Sequence, residues 1–111
     1  MATTIEKRRA LAIGETVENV LEGLFGRVLT RPSKVTIGYT AALDSLDVTV
    51  IIGDQILVDT GEAPDTAAAV RTPDDIKVQD FFPASSEIII KAVNNNAAAN
   101  VLRFLVVIEP V

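Results

Sequence analysis

The sequence contains no histidine, no cysteine and no tryptophan, and it has only one tyrosine and four phenylalanines. Histidine and cysteine supply most of the general bases, nucleophiles and transition-metal ligands that work near neutral pH. Without cysteine there is also no disulfide framework and no thiolate metal site. These absences predict that the chain is not an enzyme of a familiar type and that it binds no cofactor.

Carboxylates remain, and two uses of them are open. A pair of acids could hydrolyse a glycosidic bond, but sugar sites also use aromatic platforms, which are scarce here. Asp44 with Asp47, or Asp74 and Asp75 with Asp80, could contribute oxygen ligands to a calcium ion. Neither set matches an EF-hand loop. We therefore predict that these acids occupy turns and that no metal is bound, with calcium as the alternative.

Basic residues are also few, since ten Lys and Arg stand against fifteen Asp and Glu, for a net charge of −5. Domains that hold a nucleic-acid backbone owe their affinity to clustered Lys and Arg. The one basic cluster is Lys7-Arg8-Arg9. Its position predicts a solvated tail or arm over residues 1–7, and a contact of this arm with nucleic acid is the alternative.

Long apolar runs are missing as well. No segment approaches the roughly 18 apolar residues of a membrane-spanning helix, so no membrane span is expected. Near the N-terminus, Leu11-Ala12-Ile13 follows the basic residues, but Gly14 and Glu15 interrupt it. The stretch is too short for a secretory signal, and we expect no signal peptide.

The chain does have an aliphatic composition suited to packing. Hydrophobic residues make up 49% of its 111 residues. This length corresponds to one domain, and the β-branched share of the apolar residues favours strands over helices. We predict a single β-sandwich domain over residues 1–111.

Alternating apolar and polar residues mark strands in the C-terminal two thirds of the chain. In the last of them Leu102, Phe104, Val106 and Ile108 form one apolar face, which we predict to point into the core. Residues 60–75, with glycine, two prolines and many acids, predict a long connection. The predicted strands cover residues 35–41, 46–52, 55–59, 76–79, 87–93 and 101–108.

The N-terminal third is ambiguous. Residues 14–29 show apolar residues at helical spacing, but three glycines oppose a helix. We favour strands over residues 8–13 and 25–29 joined by a glycine-containing turn, with the helix as the alternative. The total of seven or eight short strands is typical of an antiparallel β-sandwich or jelly roll.

Three successive asparagines, Asn94-Asn95-Asn96, begin the segment between the last two strands. Asparagine tolerates left-handed backbone geometry, and this is the role that we predict for them. A ligand bound at this tip of the sandwich is the alternative.

The hairpin around the Gly53-Asp54 turn is apolar on both faces. A two-residue turn would place Val50 opposite Leu57 on one face. Only one face of a sheet in a sandwich meets the core, so the other must be covered by the chain itself or by a neighbour. The predicted interface residues on that second face are Ile51, Ile56 and Val58.

The order of these features resembles small jelly-roll structural proteins of viruses, including phages. The resemblance rests on alternating strands, a long acidic loop with Pro73-Asp74-Asp75, and an Asn-tipped hairpin ending in Val107-Ile108-Glu109-Pro110-Val111. It implies a virion protein, either capsid subunit, minor capsid or decoration protein, assembled in the host cytoplasm through contacts with itself or other particle proteins. The alternative is a non-catalytic ligand-binding or adhesive β-sandwich module.

Overall fold

The computed structural model describes residues 3–21, 28–63 and 76–111, and the regular structure in these residues is all β-strand. The all-β prediction is therefore confirmed. The eight strands are β1 (Thr3–Leu11), β2 (Thr16–Val17), β3 (Ser33–Ala41), β4 (Leu46–Ile52), β5 (Gln55–Glu62), β6 (Ile76–Phe82), β7 (Ile88–Asn94) and β8 (Asn100–Pro110).

These strands form two antiparallel four-stranded sheets. The first sheet has the order β1-β8-β3-β6 and the second has the order β2-β7-β4-β5. The hydrogen-bonded pairs β4–β5, β3–β6, β2–β7 and β1–β8 are nested around the Gly53-Asp54 turn. An eight-stranded antiparallel ribbon rolled in this way into two sheets is a jelly roll. The predicted antiparallel sandwich of jelly-roll type is confirmed.

The core lies between the sheets and follows the period of two. In β4, β7 and β8 buried and half-buried residues alternate along nearly the whole strand. The predicted inward face of β8 is confirmed, because Leu102, Phe104, Val106 and Ile108 are all buried. Aliphatic side chains from both sheets complete one core cluster, as the composition suggested.

The N-terminal residues differ from the predicted tail. Strand β1 pairs with β8 along its full length, from Thr3 opposite Ile108 to Leu11 opposite Asn100. Residues 3–7 are therefore part of the sandwich, and the tail prediction is not met for them; residues 1 and 2 lie outside the described residues. Ile5 and Leu11 explain the difference, because both pack against the core.

The segment after β1 contains very little regular strand. The alternative helix is wrong for residues 14–21, where β2 pairs only Thr16 with Val93 and Val17 with Ala92. Beyond β2 the side chain of Asn19 replaces the ladder: its Nδ2 donates to the Ile88 carbonyl oxygen at 3.2 Å. Its Oδ1 accepts from the Ile90 amide at 3.1 Å.

The rest of the ambiguous region is only partly described. Most of the predicted strand over residues 25–29 lies outside the described residues, and Val28 forms an isolated bridge with Glu87. The predicted connection over residues 60–75 begins later than expected, because β5 continues to Glu62, and its residues 64–75 also lie outside the described part.

Candidate functional site

A row of three isoleucines crosses the outer face of the second sheet. Ile51 of β4 lies opposite Ile89 of β7 on one side and opposite Ile56 of β5 on the other. Ile51 and Ile89 are half-buried, whereas Ile56 is 63% exposed. We call Ile89, Ile51 and Ile56 the isoleucine row. It presents apolar surface on three adjacent strands, facing away from the core.

Val58 does not belong to this row, which corrects the predicted face. The structure pairs Val50 with Val58, and not with Leu57, because the β4–β5 register shifts between Val50 and Ile51. Val50 is fully buried, so its partner Val58 is directed towards the core and packs against it. A bulge of this kind places two residues of one strand opposite one residue of the other. Leu57 is the additional residue.

The turn between β4 and β5 holds one end of the isoleucine row in place. Gly53 has a φ of 64°, a left-handed conformation that favours glycine. Its amide donates to the carbonyl oxygen of Glu87 at 3.1 Å, which ties the turn to the residue before β7. The pairing of Ile51 with Ile56 and of Ile51 with Ile89 is thus fixed by backbone contacts.

Further along the same outer face the sheet becomes polar. Lys91 lies opposite Thr49, and its Nζ is 3.8 Å from a carboxylate oxygen of Glu18. Two residues before Thr49 on β4, Asp47 lies opposite Glu62 of β5. The isoleucine row is therefore an apolar band with a polar border, the pattern of many protein interfaces.

The basic cluster lies on β1, at the edge of the first sheet. Arg8 lies directly opposite Arg103 of β8, and both are on the outer face, because the neighbours of Arg103 in β8 are buried in the core. The Nη1 atom of Arg103 is buried without a hydrogen-bond partner. Arg9 is paired with Glu15 at 3.4 Å. Like charges in directly opposed positions destabilise a sheet unless an anion lies nearby.

The asparagines have a role other than the predicted one. In the described residues the non-glycine positions with positive φ are Ser45, Thr60 and Ser85, so the left-handed prediction for Asn94-Asn95-Asn96 is wrong. Instead, Asn95 Nδ2 donates to Asp47 at 2.6 Å and Asn96 Nδ2 donates to the Asp44 carboxylate at 2.7 Å. These amides connect the β7–β8 loop with the β3–β4 loop, through Asp44, and with the beginning of β4, through Asp47.

The same contacts bear on the suggested calcium ligands. Asp44 and Asp47 each accept a hydrogen bond from an asparagine side chain, while Asp74 and Asp75 lie outside the described residues. Within residues 3–21, 28–63 and 76–111 no group of three or more acidic side chains could hold a metal ion. The described part of the chain also contains no helix long and apolar enough to cross a membrane.

A small cavity opens beside the β1 and β2 edges. It has a volume of about 310 Å³, and its lining includes Arg9, Val17, Asn19 and Val20. It combines a cationic side chain with apolar walls, so a small anionic or amphipathic molecule fits its chemistry. The sequence did not point to it, because its residues come together only when β1 and the segment after β2 meet across the two sheets.

Comparison with protein families and with curated proteins identifies no relative of this chain. No protein-family model matches the sequence, and no curated protein matches it. The functional interpretation therefore rests on the fold and on these surfaces.

Proposed function

We propose that the protein is a structural subunit of a virion, as a capsid subunit, minor capsid protein or decoration protein, and that it acts through repeated protein-protein contacts. The jelly-roll topology supports this role, because viral capsid domains are among the proteins built on this fold. The fold alone is shared with lectins and other classes, so the surface must supply the remaining argument.

The exposed end of the isoleucine row is the observation that favours assembly. Ile56 is 63% exposed although it extends the apolar surface of Ile51 and Ile89. Covering one such side chain contributes about 1.5 to 3 kcal/mol to association. Ile56 also lies on β5, an edge strand of the second sheet, and an uncovered apolar edge favours pairing with another chain.

The test replaces Ile56 with Asp and measures molar mass by light scattering across a dilution series. We expect the wild type to associate and the variant to remain monomeric, because a buried carboxylate at the contact is strongly unfavourable. Val111→Asp is the matched control: Val111 is 76% exposed but lies beyond the end of β8, so this variant should associate as the wild type does.

Two results would overturn the proposal. One is a wild type that is monomeric at every concentration. The other is an Ile56→Asp variant that associates as strongly as Val111→Asp while both remain folded. Negative-stain imaging of the associated wild type then shows whether the contacts repeat in a closed shell or ring.

The cavity supports a second candidate, a non-catalytic ligand-binding or adhesive module. Its volume of about 310 Å³ is at the lower limit for small-molecule sites. The test is a thermal-shift screen with saccharides and small carboxylates, using Val17→Trp to fill the cavity. A compound that stabilises the wild type but not this variant favours the module, and the absence of any such compound contradicts it.

A further inference from the structure

We infer that copies of this chain associate head to tail, with the basic β1 edge of one copy against the acidic β5 edge of the next. The inference rests on the proposed self-association and specifies which two surfaces meet. It follows from the position and the charge of the two edges and from the apolar residues beside each.

The two edges lie on opposite sides of the sandwich. Strand β1 ends the first sheet, and β5 ends the second. Loop residues 12–15 join β1 directly to β2, so that β1 lies on the β2 side of the molecule. Strand β5 is three strand spacings from β2, which corresponds to about 14 Å at about 4.8 Å per spacing. One copy can therefore use both edges at the same time.

The β5 edge is acidic. The β4–β5 hairpin, residues 46–62, contains four acidic residues and no Lys or Arg. Asp54, Asp59 and Glu62 are exposed on β5 and its turn, and Asp47 lies opposite Glu62. Ile56 projects from the same strand. This edge thus combines an exposed apolar residue with several carboxylates that form no ion pair within the described residues.

The β1 edge has the opposite charge. Lys7, Arg8 and Arg9 are consecutive and exposed. Arg8 lies opposite Arg103 of β8, whereas Arg9 is paired with Glu15 of the same copy. Three of the ten basic residues of the chain therefore lie on this one strand. Arg103 adds a further guanidinium group next to Arg8, and two like charges in opposed positions favour a nearby carboxylate.

Apolar surface lies beside the arginines as well. Val101, Leu105 and Val107 share the outer face of β8 with Arg103, and all three are half-buried. The first sheet thus has an apolar and basic surface, and the second sheet has an apolar and acidic surface that is complementary to it in charge. Such complementarity orients association between copies whose net charge of −5 otherwise makes them repel each other.

A contact between two different surfaces of identical chains is heterologous. It leaves one free edge at each end of a dimer, so association continues until a ring or shell closes. This geometry is what a repeated subunit needs. A two-fold contact of the isoleucine row with itself would instead stop at the dimer.

The test uses two charge-reversed variants, Arg8→Glu on the basic edge and Asp59→Lys on the acidic edge. Each should raise the apparent dissociation constant for self-association about tenfold, measured by sedimentation velocity. Mixing the two in equal amounts should restore association at least to heterodimers, because the native acidic edge of Arg8→Glu can meet the native basic edge of Asp59→Lys. The control is Arg31→Glu, which changes an exposed residue before the central strand β3 and gives the same net charge as Arg8→Glu.

The Asp59→Lys variant separates this inference from general electrostatics. It brings the net charge closer to zero, so non-specific repulsion alone would strengthen its association, whereas the edge contact predicts weakening. If the wild type associates but Asp59→Lys associates as well as it does, or if mixing restores nothing, the edge pairing is refuted while the proposed function stands. If the wild type does not associate, the proposed function itself fails.

Discussion

Tyr39, the single tyrosine of the chain, points into the core from β3. Burial raises the pKa of its phenol from 10.0 to about 12, because the phenolate is poorly solvated there. Below pH 10 the phenol is neutral in both the folded and the unfolded chain. Above it the unfolded chain loses this proton first, so rising pH favours unfolding until the folded-state pKa is reached.

This shift predicts an alkaline loss of stability that depends on one residue. Between pH 10.0 and about 12 the free energy of unfolding should fall by on the order of 2 kcal/mol. Tyr39→Phe should lack this contribution. Urea denaturation of both proteins at about pH 8 and about pH 11 measures the difference. An identical alkaline loss in the two proteins would show that Tyr39 is not the cause.

The surroundings of Val58 and Arg103 could not be predicted from the sequence. Val58 looked like an outward residue because a regular hairpin requires strict alternation, and the bulge at Leu57 reverses its face. Arg103 lies on the outer face of β8, between the buried residues Leu102 and Phe104. Its proximity to Arg8 depends on the β1–β8 register, which a sequence with no visible β1 partner cannot specify.

Asn94 connects three elements at one end of the sandwich. Its Nδ2 donates to the carbonyl oxygens of Ala12 and Ala98, both at 3.0 Å, and its Oδ1 accepts from the Asn96 amide at 3.0 Å. The residue is fully buried. The β1–β2 loop and the β7–β8 loop are thus held to the end of β7 by one side chain.

Asn94→Ala should therefore destabilise the fold. It removes the hydrogen bonds that this buried side chain makes, and we expect a loss of about 2 to 3 kcal/mol in the free energy of unfolding. Asn95→Ala is the matched control, because Asn95 is exposed and makes one side-chain bond, to Asp47; its loss should be below about 1 kcal/mol. Urea denaturation compares them, and equal losses would contradict this role.

At the level of strands, the sequence was most informative where one face meets the core. Strands β4, β7 and β8 were predicted because burial imposes a period of two on their side chains. Strand β3 was predicted from larger side chains at every second position, although the structure buries nearly all of its residues. Strand β1 was partly missed, since most of its residues are exposed at an edge. The short β2 was missed because it has only two residues. Beyond it the Asn19 side chain, and not a longer strand, bonds to the backbone of β7, and a sequence does not show such distant partners.

At the level of the whole molecule, the nested strand order separates what each sheet presents. The second sheet presents the isoleucine row and an acidic edge, and the first presents the basic edge and the arginine pair. The apolar excess in the hairpin could be predicted from residues 46–59 alone. Ile89 and the β1 edge could not, because both surfaces require the order of strands in the sheets.

We expect this jelly roll to associate with copies of itself, and sedimentation velocity of the wild type across a dilution series measures that association. The weight-average mass should rise above that of the 11.8 kDa monomer as concentration increases, through species larger than a dimer. A mass that stays at 11.8 kDa over the whole range would contradict it.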